Sequence, residues 1–163
     1  DGIPCVYYGT EQQFAGGNDP ANREDLWLTG YDQTAPTYQF VQRLTKLRKA
    51  YVALRRGATN VTWASSRSAD ETDAGIFAFE RTGGDAGDGY ALIVLNTHRS
   101  KASSPMFETD TMGVTAAPGT VLVDVLSTDR PSFTVAADGS LSIQLERQQG
   151  VVLVPDYQVV PGL

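Results

Sequence analysis

The sequence is poor in the residues that build disulfides and zinc sites. Its 163 residues include one cysteine, Cys5, and one histidine, His98. A single cysteine cannot close a disulfide within the chain, and the lone histidine has too few partner ligands for a tetrahedral zinc site. The sequence therefore excludes a disulfide framework within the chain, and we assign no metal ligand. Cys5 lies in an apolar run, so we expect it to act as a small hydrophobic residue.

Positive charge is scarce as well, and long apolar runs are missing. The chain carries 13 lysines and arginines against 19 acidic residues, a formal charge of -6. Binding to nucleic acid or to an anionic membrane surface needs clustered basic side chains. No apolar run approaches the roughly 20 residues that cross a bilayer. We therefore expect no nucleic-acid partner and no membrane partner.

The first third of the chain has the pattern of one β/α unit. Residues 3–8 are apolar on both alternating faces, which is typical of a parallel strand whose Tyr7 and Tyr8 pack in a core. Residues 11–36 are rich in Gly, Asn, Asp and Pro and predict a long loop of the kind that binds or covers something. Residues 37–56 predict an amphipathic helix, capped by Thr37 or Thr34 and stopped by Gly57.

After Gly57 the pattern changes to short segments of alternating polarity, separated by turn residues. An antiparallel β-sandwich of seven or eight strands is the predicted fold for this part. The Asp and Gly cluster of residues 85–88 is predicted to be a hairpin turn rather than a calcium loop, because regular oxygen-ligand spacing is missing. The predicted strands are residues 60–64, 75–81, 90–96, 120–127, 132–136, 140–145 and 150–155.

Two motifs near the start resemble those of glycoside hydrolase family 13. Residues 2–12, GIPCVYYGTEQ, are similar to the eighth strand of the α-amylase barrel. Residues 16–31, GGNDPANREDLWLTGY, are similar to the following loop in fungal-type α-amylases and cyclodextrin glucanotransferases. The β-rich remainder resembles domain C of that family more loosely. The resemblance therefore spans nearly the whole chain and is sharpest up to residue 31.

The resemblance implies a fold and a division into domains. It implies an α+β fragment: the last β/α unit of a (β/α)8 TIM barrel, followed by an antiparallel Greek-key β-sandwich, domain C. Residues 1–58 would supply strand 8, the substrate loop and helix 8, and residues 59–163 would form domain C. The chain begins with Asp1 rather than methionine, which is in keeping with a processed chain or a piece of a longer one.

The resemblance also implies a reaction whose catalytic groups lie elsewhere. The family hydrolyses α-1,4-glucosidic bonds with retention, using two carboxyl groups about 5 to 5.5 Å apart. Its nucleophile, acid/base and third aspartate come from barrel strands four, five and seven, which would all precede Asp1. No acidic residue here occupies a matching motif. We therefore assign no catalytic residue and expect the isolated chain not to cleave starch.

Two residues match positions that the family uses to hold substrate. By resemblance, Asp19 and Arg23 line the donor side of the cleft and hydrogen-bond glucose hydroxyl groups, which suits a carboxylate acceptor and a guanidinium donor. Spacing alone also allows Asp19 to cap a turn before Pro20, and Arg23 to pair with Asp19 or Glu24.

Other polar and aromatic residues are predicted to be structural. Glu11 and Gln12 brace the end of the first strand. Trp27 anchors the loop from a buried position, and Trp63 packs in the sandwich core. His98 is expected to be exposed and without a role.

Three functions remain open on the sequence. The favoured one is the C-terminal part of a secreted, monomeric α-amylase acting on starch or maltooligosaccharides; its calcium, common in the family, would be bound outside this segment. The second is a cyclodextrin glucanotransferase. The third is a non-catalytic carbohydrate-binding β-sandwich with an exposed aromatic such as Trp63 as its platform.

Overall fold

The computed structural model describes residues 5–67, 70–84 and 89–163 and divides the chain into two compact units, Asp1–Lys46 and Leu47–Leu163. Residues 1–4 of the predicted first strand and the predicted turn at residues 85–88 lie outside the described residues. The division falls at residue 46, whereas the sequence places a domain boundary after residue 58; that boundary stays a prediction.

The first unit contains little regular structure before its helix. Residues 5–8 are not a strand, so the predicted first strand is wrong over this part. Cys5 is exposed, and Tyr7 and Tyr8 are exposed rather than packed in a core, which corrects the expectation for all three. A strand requires a neighbour for its backbone hydrogen bonds, and none of the described residues pairs with this segment. Two short 3-10 helices follow, Thr10–Gln12 and Leu26–Thr29.

The predicted helix forms, but in two pieces: α1 spans Pro36–Ala50 and α2 spans Ala53–Arg56. The break lies where the N–H of Leu54 bonds the carbonyl of Tyr51, three residues back, at 3.1 Å. This tight turn buries Ala53 to 2% exposure. Gly57 ends α2, as predicted, and a Cβ there would lie 2.6 Å from the Ala53 carbonyl oxygen. In the described part of the chain, no helix is long and apolar enough to cross a membrane.

The start of α1 is organised differently from the prediction. Thr37 lies inside the helix rather than at its cap. The side chain of Thr34 donates instead to Asp32, whose Oδ1 accepts the hydroxyl at 2.7 Å and the backbone N–H of Thr34 at 2.8 Å. An aspartate that bonds the backbone two residues on forms an Asx turn. Asp32 is therefore the residue that organises the approach to α1.

The strands of the second unit are β1 Ala58–Ala64, β2 Ile76–Thr82, β3 Tyr90–Asn96, β4 Met106–Phe107, β5 Asp110–Thr111, β6 Val121–Asp124, β7 Ser132–Thr134 and β8 Gly150–Pro155. In the described residues they form a six-stranded sheet, in the order β1-β2-β3-β8-β6-β7, and a separate two-stranded ribbon, β4-β5. Every pairing in these sheets is antiparallel, so the predicted antiparallel β-rich domain is confirmed.

The layer opposite the sheet is less regular than a second sheet. The predicted strand at residues 140–145 forms only isolated bridges, from Leu145 to Ser103 and from Ser140 to Gly113. The ribbon β4-β5 was not predicted, since its strands have two residues each. In the described residues, the predicted sandwich therefore has one regular layer, the six-stranded sheet. The layer that faces it is mostly irregular chain.

Both faces of the central strands β3 and β8 are buried, and the alternation along β3 shows how. Leu92 and Val94 point into a first core with the irregular layer, whereas Ala91 and Ile93 point into a second core. The second core is completed by the last turn of α1 and the C-terminal segment. Its buried members are Leu47, Tyr51, Ala91, Val125, Val152 and Val154.

A buried carboxylate links the sheet to the irregular layer. Glu80 of β2 has 0% exposure. Its Oε1 accepts hydrogen bonds from the Tyr90 hydroxyl at 2.8 Å and from the Thr115 N–H at 2.6 Å. Its Oε2 accepts from the Asn60 amide at 3.3 Å. Burial, followed by the bond to Glu80, raises the pKa of Tyr90 far above its ordinary value, so this phenol stays a donor at neutral pH.

Replacing Glu80 by leucine should destabilise the second unit. The Tyr90 hydroxyl and the Thr115 N–H would lose their acceptor inside the protein, at a cost of about 2–4 kcal/mol in free energy of unfolding. Glu80→Gln should cost less, because its amide oxygen still accepts. Urea unfolding measures both, with Glu146→Gln at an exposed position as control. Equal free energies of unfolding for Glu80→Leu and the wild type would show that this hydrogen-bond network does not stabilise the second unit.

Candidate functional site

The candidate site lies on a tightly turned loop in the first unit, residues 16–24. Two consecutive turns build it: the Ala21 N–H donates to the Asn18 carbonyl at 2.8 Å, and the Arg23 N–H donates to the Pro20 carbonyl at 3.0 Å. Asn, Asp and Pro are the residues that such turns favour. The sequence therefore determines a compact loop rather than an extended one.

The two turns bring Asp19 and Arg23 into contact. The Arg23 guanidinium lies 3.0 Å from Asp19 Oδ1, and both side chains are mostly exposed, at 71% for Arg23 and 64% for Asp19. The pairing that spacing alone allowed is thus present, and it leaves both groups open to solvent. An exposed ion pair contributes only about 0–1 kcal/mol. A ligand can therefore compete for these two groups at little energetic cost.

Glu24 closes the loop. Its Oε1 accepts the Gly16 N–H at 3.0 Å, which joins the two ends of the loop. Its backbone carbonyl accepts the Tyr8 hydroxyl at 3.1 Å, which ties the loop to the preceding segment. Sequence reasoning gave Glu24 only the option of pairing with Arg23 and placed Tyr8 in a core. A carboxylate eight residues after a glycine carries no signal that would have predicted this contact.

The segment before the loop is held by a glycine and a glutamine. Gly9 has φ +83°, and a Cβ there would lie 2.0 Å from the ring of Phe14, which folds over it. Only glycine fits this conformation and this close approach. The Gln12 side chain donates to the Asp32 carbonyl at 2.9 Å, which ties this segment to the chain after the loop. The bracing of a strand end predicted for Glu11 and Gln12 is not seen, since residues 5–8 form no strand.

Aromatic side chains after the loop are exposed. Trp27 is 62% exposed and Tyr31 is 60% exposed, on and just after the second 3-10 helix. The prediction that Trp27 is a buried anchor is therefore wrong in this structure. Leu28 beside it is exposed as well, and the short helix is held by the bond from the Thr29 hydroxyl to the Leu26 carbonyl at 2.7 Å. An exposed aromatic next to polar loop residues is a surface that can take a ligand.

Two residues of the second unit have structural roles. Trp63 is half-buried, packs against the first core and donates its indole N–H to Asp73 at 3.0 Å. This supports the predicted core role. His98 is half-buried rather than exposed, and its Nδ1 accepts the N–H groups of Ser100 and Lys101. It organises a turn.

The charge pattern of the site suits a neutral ligand. The Asp19–Arg23 pair has no net charge, yet it offers carboxylate acceptors beside guanidinium donors. Adjacent hydroxyl groups on a ligand can meet both. The described residues contain no group of three or more His, Cys, Asp or Glu placed to hold a metal ion.

Comparison with known proteins finds enzymes that act on starch-type saccharides, by the names they carry. The chain is 32% identical over 157 residues to α-amylase 1 of Schwanniomyces occidentalis, covering 95% of this chain and 28% of that protein. It is 34% identical over 143 residues to a cyclomaltodextrin glucanotransferase of Bacillus sp. strain 1-1, covering 86% of this chain and 18% of that protein. No family model matches the chain.

The fold agrees with the sequence comparison. An α-amylase structure from Malbranchea cinnamomea matches with a TM-score of 0.69 and 27% identity, over 99% of this chain and 31% of that one. The chain belongs to the α-amylase and cyclodextrin glucanotransferase family, glycoside hydrolase family 13. It spans less than a third of the length of each of these three relatives.

The loop geometry leads to a prediction on Glu24. Glu24→Ala removes the acceptor of the Gly16 N–H, so that amide should exchange with solvent about tenfold faster or more. Glu24→Gln keeps a carbonyl oxygen at the same place and should preserve most of the protection. Hydrogen exchange followed by NMR measures both. Unchanged exchange in Glu24→Ala would mean that the carboxylate does not close the loop.

A further prediction concerns Asp32. Hydrogen bonds from the Thr34 hydroxyl and then from its N–H lower the pKa of Asp32 below its ordinary 3.8. The stabilisation of this turn is therefore fully present above pH 3.8 and is lost as the pH falls through the lowered pKa. NMR titration of the carboxyl group measures this, and Thr34→Val should raise the pKa toward 3.8. A pKa at or above 3.8 in the wild type would contradict it.

Proposed function

We propose that this chain is part of a retaining glycoside hydrolase that cleaves α-1,4-glucosidic bonds in starch and maltooligosaccharides, and that its loop at residues 16–24 holds substrate. In this proposal residues 1–58 end the catalytic (β/α)8 barrel and residues 59–163 form domain C. The catalytic carboxylates belong to another part of the parent protein. The isolated chain would then be inactive.

The observation that carries the proposal is the exposed pair of Asp19 and Arg23 on a closed loop. The two groups lie 3.0 Å apart, face solvent and stand next to each other after two hydrogen-bonded turns. Neighbouring hydroxyl groups of a glucose unit can donate to the carboxylate and accept from the guanidinium at once. Charged hydrogen bonds of this kind are the stronger ones in recognition. Loops that follow the strands of such barrels are where substrates bind.

A cyclodextrin glucanotransferase is the second candidate, because the chain is similar to enzymes of both names at comparable identity. Both would use the same loop for the sugar chain. Product analysis separates them, since the first yields linear oligosaccharides and the second yields cyclic ones.

A stand-alone carbohydrate-binding sandwich with Trp63 as its platform receives less support. The Trp63 indole is half-buried against the first core and its N–H is engaged by Asp73. A side chain held in this way does not present its ring face to a sugar.

The proposal predicts the behaviour of Asp19→Ala and Arg23→Ala in the intact parent enzyme. Each variant loses charged hydrogen bonds to a glucose unit away from the reacting bond. The kcat/KM for maltoheptaose should therefore fall about tenfold or more, and that for a short chromogenic maltoside should change little. Asp129→Ala and Arg147→Ala, exposed residues of the second unit, are the matched controls. Equal losses on long and short substrates would remove the assignment of these two residues.

Cell location, assembly and calcium follow as further parts of the proposal. We expect a secreted, monomeric parent, since starch is an extracellular polymer, and calcium bound by residues outside this chain. The partners would be starch-type saccharides, with neither nucleic acid nor membrane involved. Removal of calcium by a chelator from the intact parent, followed by thermal unfolding, tests whether a structural calcium ion is present.

A further inference from the structure

The second unit contains a cavity of about 400 Å³ that none of the roles described so far uses. It lies where three parts of this unit meet: the end of α1, the start of β3 and the 3-10 helix Asp156–Gln158 after β8. Its volume falls within the roughly 300–1,000 Å³ range of small-molecule sites. Its lining includes Ala50, Tyr51, Tyr90, Tyr157, Gln158 and Val160.

Hydrogen bonds between distant parts of the chain hold the walls in place. The Tyr51 hydroxyl accepts the Val160 N–H at 3.2 Å, although the two residues are 109 positions apart. The Gln158 side-chain oxygen accepts the Tyr90 N–H at 3.3 Å. Tyr51 is only 5% exposed and belongs to the second core. These bonds preform the walls of the cavity, and a preformed site lowers the entropic cost of binding.

Tyr157 lines the cavity as well, but it is far more exposed than the other tyrosines there. Tyr157 is 77% exposed, the most exposed of the large hydrophobic side chains in the described residues. Its backbone is held by the bond from its N–H to Asp156 Oδ1 at 2.7 Å. The ring thus lines the cavity while most of its surface remains in contact with water. An aromatic ring so placed gains by covering its face with a ligand.

The lining chemistry determines the class of ligand. Among the described residues, those that line the cavity carry no charge at neutral pH, and a neutral ligand suits them. The polar groups are neutral: the Tyr51 hydroxyl, which still has a proton to donate, and the Gln158 amide. Ala50 is the last residue of α1, and the last turn of a helix adds carbonyl acceptors that have no partner within the helix.

We propose that this cavity binds a neutral hexopyranose unit, with one C–H face of the sugar on the Tyr157 ring and its hydroxyl groups on Tyr51, Gln158 and the carbonyls at the end of α1. A pyranose ring combines an apolar face with a rim of uncharged hydroxyl groups, which matches this lining. The choice of glucose in an α-1,4 chain rests on the proposed function. The cavity would then be a second saccharide site that involves neither Asp19 nor Arg23.

The test is a titration of the whole 163-residue chain with maltotriose. Calorimetry measures the affinity, and NMR chemical shifts of residues 157–160 report where the sugar binds. Tyr157→Ala should weaken binding about tenfold, whereas Tyr157→Phe, which keeps the ring, should bind within about twofold of the wild type. Ala50→Trp fills the cavity from an exposed position and should abolish the shifts. Met106→Ala, at an exposed site outside the cavity, is the matched control.

The outcomes separate this proposal from the function of the loop. Unfolding midpoints of the Tyr157 variants should equal that of the wild type, because the side chain is exposed; a changed affinity then reports binding. Maltotriose binding that is unaffected by both Tyr157→Ala and Ala50→Trp, or no shift at residues 157–160 with millimolar sugar, would overturn the cavity proposal. Asp19→Ala with Arg23→Ala should leave these shifts unchanged, so failure of the loop assignment is detected separately in the parent's kinetics.

Discussion

The structure of the second unit depends on one constraint: its central strands β3 and β8 are covered on both faces. Leu92 and Val94 alternate with Ala91 and Ile93, and β8 is buried along nearly its whole length. A sheet with two apolar faces must have a layer on each. The mostly irregular chain of residues 103–120 and 135–145 supplies one layer. The end of α1, α2 and the C-terminal segment supply the other, and the cavity with Tyr157 lies within this second layer.

Because the first of these layers is irregular, side chains have to satisfy its backbone groups. Glu80 accepts the N–H of Thr115, and the Asn96 amide donates to the carbonyls of Lys101, Leu145 and Glu146. Both residues lie in central parts of the sheet and are buried. Buried polar groups of this kind are costly unless they are paired. They therefore replace the hydrogen-bond ladder that a second regular sheet would have provided.

The loop at residues 16–24 in the first unit is held by different interactions. Its shape comes from local turns and from Glu24, rather than from a core, and its two charged residues remain in water. Binding groups are commonly carried on such loops, since a side chain held by turn geometry stays open to ligand. The two candidate saccharide sites thus differ in kind. The loop offers a charged acceptor and donor, and the cavity offers an aromatic ring with neutral hydrogen-bonding groups.

Local pattern was enough for several features of this protein. The alternation of residues 90–96 and 150–155 gave the bounds of β3 and β8 as the structure has them, and three- and four-residue spacing gave α1. The motifs around Asp19 gave the family, because they depend on residue order alone. The turns inside the loop were also within reach, since Asn, Asp and Pro favour turns through local geometry, but the closure of the loop by Glu24 was not.

Only the tertiary structure decided the rest, because the deciding partners are far apart in the chain. The break between α1 and α2 arises where Ala53 is buried, and Glu80 is buried because Tyr90 and Thr115 meet it. The first strand was predicted from its apolar residues, but a strand forms only where another strand pairs with it. The cavity needs three segments at once, one of them more than 100 residues from another. Sequence determined which residues are apolar, turn-forming or charged, and long-range packing decided which of them meet.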